Sequence, residues 1–171
     1  SALPLEGSVT ILTERYAFFG TTCSTLQSVT LLVLAALIGA QVAMLGYHLR
    51  DVQDYPLEED TLKALEYLEG WQAAGSRSEM SIPGTEIVNL MPLAFRQNFA
   101  AAVTYGGGLS GLCNMLQTID ARLADDPNAE LTDEEADYVN LIVRAAWRYG
   151  VANYGRDPNL WNERGRQALL E

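Results

Sequence analysis

The chain has 171 residues and a net charge of −11, from 11 Lys and Arg against 22 Asp and Glu. That length holds one domain with a proper core, or a smaller domain plus an anchor, and so acidic a chain repels nucleic acid phosphates and anionic lipid heads. One histidine excludes a di-iron bundle built on two Glu-x-x-His motifs, and cannot complete a zinc site with two distant cysteines on any standard spacing.

Residues 1–24 read as an N-terminal segment. The opening SALPLEG suits a start from which Met was removed. It has no basic n-region of a secretory signal, and no lipidation motif is visible. Cys23 lies beside the apolar run and Cys113 in a helical pattern; both read as free, buried thiols, with a disulfide as the alternative if the fold brings them together. The charges of residues 1–50 (Glu6, Glu14, Arg15, Arg50) cancel, so the whole excess sits on residues 51–171. Lys63 is the only lysine, which reads as compositional bias.

From Tyr16 to Leu49 there is no Asp, Glu, Lys or Arg. The strongest part, Val29 to Leu49, has 21 residues. As a helix it would be about 30 Å long, the thickness of a hydrocarbon core. Tyr16, Phe18 and Phe19 precede it and Tyr47 lies at its far end, like interfacial belts. Residues 25–50 are therefore expected to form a single-pass transmembrane helix. Arg50 and Lys63 beyond it lean toward a cytoplasmic C-terminal domain. The alternative is a helix buried all round in a soluble intracellular bundle, since no polar face is visible.

Two details imply that other protein packs on this helix. Gln27, Gln41 and His48 recur at multiples of seven and share one face. Ala35, Gly39, Ala43 and Gly46 form a second face of small residues, which allows close helix approach. A glutamine in apolar surroundings wants a hydrogen-bond partner. His48 could ligate a haem iron or the magnesium of a chlorophyll-type pigment. The competing reading is an interfacial histidine that bonds a partner's carbonyl or water. No other cofactor is expected.

Residues 51–171 read as an acidic helical domain. Asp54 could cap a helix with Pro56 near its first turn, and Leu62, Leu65, Leu68 and Trp71 make its apolar stripe, up to Gly75. SRSEMSIPGTE is a loop by its Ser, Pro and Gly content. Pro92 could open a helix through Phe95, Phe99 and Val103, and YGGGLSG interrupts it. A helix from Leu109 to Leu123 ends at ADDPNAE. Thr132 and Glu135 then form a capping box for a helix burying Val139, Ile142, Val143 and Ala146. Asp157 and Pro158 open a short final helix. No segment alternates like a strand. The expected fold is all-α: one long apolar helix followed by a small acidic bundle of four to five helices.

Gly106, Gly108 and Gly111 match G-x-G-x-x-G in letters only, because a helical pattern precedes them and no βαβ unit exists. The acids at Glu58–Asp60 and Asp133–Asp137 read as first-turn caps, not as a metal loop. Nothing around Ser110 or Cys113 resembles a nucleophile elbow. The expected function is a non-catalytic accessory or structural subunit. Its apolar helix would pack against partner helices to assemble or stabilise a larger membrane-associated complex. The expected partners are other protein subunits and the lipid bilayer, not nucleic acid, in a hetero- or homo-oligomer. The alternatives are a soluble helical interaction or oligomeric shell module with residues 25–49 as buried core, and a pigment- or haem-carrying subunit through His48.

Overall fold

The computed structural model describes residues 31–74, 91–105 and 109–170. The expectations on residues 1–30, among them Gln27 and Cys23, lie outside the described residues, as do those on the loop at 76–86 and on Gly106 and Gly108. The side chains of Ala35 and Cys113 lie outside them too. Among the described residues there are six α-helices and no strand, so the all-α expectation stands. They are α1 (Leu31–Asp51), α2 (Glu59–Ala73), α3 (Leu93–Tyr105), α4 (Leu109–Asp125), α5 (Asp133–Tyr154) and α6 (Trp161–Leu170).

α1 stops where its last carbonyls find partners beyond the helix. The N–H groups of Val52 and Gln53 donate to the His48 carbonyl at 2.9 and 3.1 Å, and Tyr55 N–H donates to Leu49 at 2.8 Å. The reversal passes through Asp54 at φ 50°, a left-handed position that Asp tolerates better than most residues. Asp54 thus ends the turn after α1 and does not cap α2, which begins later, at Glu59. The stripe on α2 is also rotated from the expected one. Thr61, Ala64, Leu65 and Leu68 are buried, while Leu62 is 38% exposed. Thr61 can be buried because its hydroxyl lies 2.7 Å from Asn140 Oδ1 on α5.

The other boundaries follow their local chemistry. The N–H groups of Phe95 and Arg96 donate to the Pro92 carbonyl at 3.0 and 3.3 Å, so Pro92 does precede the first turn of α3. Thr132 Oγ1 accepts from Glu135 N–H at 3.2 Å, and Glu135 Oε1 accepts from Thr132 N–H at 2.8 Å, the expected capping box of α5. α5 ends at Gly155, whose φ of 94° favours glycine. Asp157 accepts from Asn159 N–H at 3.0 Å, but it caps a short 3-10 turn (Pro158–Leu160) that leads into α6.

α5 is the hub of the bundle: it packs along α1, α2 and α3, α1 also lies on α3, and α6 closes over α3 and α5. The predicted Val139, Ile142, Val143 and Ala146 all face inward. Trp161 of α6 packs at ring-centroid distances of 5.0 Å from Trp147 and 5.4 Å from Phe95. α2 is strapped to α5 by ion pairs, Glu58–Arg144 at 2.6 Å and Asp60–Arg148 at 2.8 Å. The Glu58–Asp60 cluster is therefore more than a set of first-turn acids.

The expected membrane span is corrected. Among the described residues no helix is long and apolar enough to cross a membrane. From Ile38 to Leu49, every α1 residue whose side chain is described is buried. The missing polar face has its cause within the chain: Phe99 of α3 covers Gly39, Leu65 of α2 covers Gly46, and the segment before α5 covers His48. α1 and the helices beyond residue 50 share one hydrophobic core. Burying each of Ile38, Leu45 and Leu49 contributes about 1.5–3 kcal/mol to that core.

Candidate functional site

The residues singled out on α1 divide by face. Gly39 and Gly46 do permit close approach, but of Phe99 and Leu65 in the same chain, with Ala43 buried between them. Gln41, 1% exposed, lies on the other face, and its Oε1 has no hydrogen-bond partner among the described residues. His48, on that face, is 2% exposed. Its Nε2 lies 2.9 Å from the Ala129 carbonyl, which only accepts, so the ring proton sits on Nε2. His48 therefore bonds a carbonyl, from a segment of its own chain 81 residues away.

That bond is one of a set that fixes the segment between α4 and α5. Gln53 donates from Nε2 to the Leu131 carbonyl and accepts from Leu131 N–H, each at 2.9 Å. Both backbone groups of Leu131 are thus satisfied by one side chain. Arg122 of α4 forks onto Glu135, Nη1 to Oε1 at 2.6 Å and Nη2 to Oε2 at 3.1 Å. Burial works to raise the Glu135 carboxyl, but the Arg122 guanidinium and the Thr132 N–H overcome it and hold the group below its ordinary value. Sequence reasoning found the capping role of Glu135 and missed Arg122 and Gln53. Their partners are 13 and 78 residues away, and no local spacing announces them.

Beside this fixed corner a groove of about 420 Å³ opens between the first half of α4 and the start of α5. Leu112, Met115 and Tyr138 supply its apolar lining, Gly111 and Thr118 edge it on α4, and Glu134 edges it on α5. Gly111 is helical, and a Cβ there would meet nothing within 4 Å, so it neither breaks the helix nor serves a close contact. α4 holds to the core through Leu112, Leu116, Ile119 and Leu123, all buried. Asp120, on the same helix, has its Oδ1 buried without a hydrogen-bond partner among the described residues, and burial pushes its carboxyl up to about 6.

The acids on the two sides of the bundle differ. On α2 and just before it, Glu58, Glu59, Asp60 and Glu69 are ion-paired with Arg144, Lys63, Arg148 and Arg50. Between residues 125 and 137 there are seven acids and no base, and of these only Glu135 has an ion pair among the described residues. Asp126 and Asp137 are bound to neutral groups, Asn128 N–H and Tyr55 Oη–H. Among the described residues no group of three or more His, Cys, Asp or Glu is placed to hold a metal ion. The arrangement offers a groove with apolar side chains in it and the Glu134 carboxylate on its edge, beside an acidic stretch of chain. It can seat apolar side chains and attract cations.

No protein-family model, curated protein or solved structure matches the chain.

Proposed function

We propose that the chain is a non-catalytic accessory module, a helical bundle with α1 as its own core helix, that engages a protein partner of basic surface through the acidic end of α4 and α5. The observation that carries this reading is the contrast in charge pairing. Acids that strap α2 to α5 have cations at 2.6–2.8 Å, whereas the stretch from Asp125 to Asp137 has no ion pair among the described residues apart from that of Glu135. Concentrated like charge costs folding stability through self-repulsion, and an oppositely charged partner relieves it while steering its own approach. The small-residue face of α1, expected to meet partner helices, is spent on Phe99 and Leu65. Partnership is therefore assigned to the acidic end.

The test compares capture of partners by the parent chain and by a variant with Asp125, Asp126 and Asp133 changed to Asn and Glu130 to Gln. Asn at 126 can still accept from Asn128 N–H, so the local turn is kept. The expected result is a partner with a basic surface that the parent retains at low salt and releases at high salt, and that the variant does not retain. Retention of the same proteins by both forms, independent of salt, contradicts the reading.

A further inference from the structure

We infer that the α4–α5 groove receives an amphipathic helix from the partner, with an apolar ridge that enters the groove and Arg or Lys side chains that meet its acidic rim. This rests on the interaction-module reading and specifies where the partner binds and in what form.

The two walls carry matching helical stripes. On α5, Glu134 and Tyr138 are spaced i, i+4 and both border the groove; Leu141, the next position of that stripe, lies beyond the lining and is 38% exposed although large and apolar. On α4, Gly111, Met115 and Thr118 are spaced i, i+4, i+7, and all three border the groove. Two such stripes across a trough form the seat that an added helix uses, with anchors at one-turn intervals. The absence of a side chain at Gly111 leaves open space where an anchor can enter. Charge selects the occupant. Glu134 stands on the wall, Glu130 and Asp133 lie beside it in sequence, and the flanking cations along the chain, Arg122 and Arg144, are spent on Glu135 and Glu58. A basic helix complements this rim and an acidic one is repelled.

The experiment uses the full chain and a fluorescent synthetic peptide with Leu on one helical face and Arg and Lys on the other, followed by anisotropy. A scrambled peptide of the same composition has no apolar face. The expected result is saturable binding of the amphipathic peptide, weaker by about tenfold or more for the scrambled one. Gly111→Phe fills the trough and Glu134→Arg reverses its rim; each weakens binding by about tenfold or more, with unchanged circular dichroism. Glu66→Arg, on the exposed face of α2, binds as the parent does. Equal binding of the scrambled peptide, parent-like binding by Gly111→Phe, or no binding of the amphipathic peptide overturns the inference. Partner capture that survives such a result leaves the module reading in place and removes only the groove. Loss of capture selectivity removes the module reading itself.

Discussion

Gly39 of α1 and Phe99 of α3 meet so closely that a Cβ at residue 39 would stand 2.6 Å from both Cβ and Cγ of Phe99. No real side chain tolerates that distance. Phe99 has little freedom to retreat, because it is fully buried and its ring lies 6.3 Å from that of Phe95. Gly39→Leu is therefore expected to destabilise the fold by about 1–3 kcal/mol or more, as overpacked cores do. Urea unfolding followed by circular dichroism reads this as a lower midpoint. A variant as stable as the parent would mean that α1 and α3 do not cross there.

Gln53 is a second point where one side chain carries a structural load. Its amide satisfies both backbone groups of Leu131 at 2.9 Å. Gln53→Ala leaves a buried N–H and C=O without partners and should cost about 1–3 kcal/mol. The loss should be local as well. Backbone amides from Ala129 to Thr132 are expected to exchange faster in the variant, while those of α3 hold at the parent rate once the change in global stability is allowed for. Unchanged exchange over residues 129–132 would remove Gln53 from this role.

Asp120 makes a pH-dependent contribution of unusual sign for a carboxylate. Burial raises its folded value from 3.8 to about 6, so the folded chain binds this proton more tightly than the unfolded chain does. Its contribution to stability is present below the unfolded value and is lost as pH rises through the folded one. Glu135, held low, runs the other way and loses its contribution as pH falls. Asp120→Asn should therefore raise Tm at pH 7, and the gain over the parent should vanish near pH 4. A gain of the same size at both pH values would show that the charge at Asp120 is not what the fold resists.

The legible parts of this fold were those encoded locally. The capping box at Thr132 and Glu135, the Pro92 start and the inward stripe of α5 each depend on residues within one or two turns, and each stands where the spacing puts it. The misread parts depend on distant partners. An all-round apolar helix looks the same to a sequence whether lipid or protein covers it, and only Phe99 and Leu65, brought in by the fold, distinguish the cases for α1. Thr61 displaced Leu62 from the core because Asn140, 79 residues on, supplied a hydrogen bond. The groove was invisible for the same reason: neither Gly111 nor Glu134 carries a motif, and only the separation of α4 from α5 gives them a shared space.

The measurement that tests the central claim most directly is hydrogen exchange along α1 in the purified chain without detergent or lipid. If α1 is the core helix of this bundle, amides from Val42 to Leu49 should exchange as slowly as those from Val139 to Ala146 of α5, because both open only when the whole bundle unfolds. Rapid exchange over Val42–Leu49 beside a protected α5, or protection that arises only when detergent or vesicles are added, would contradict the account.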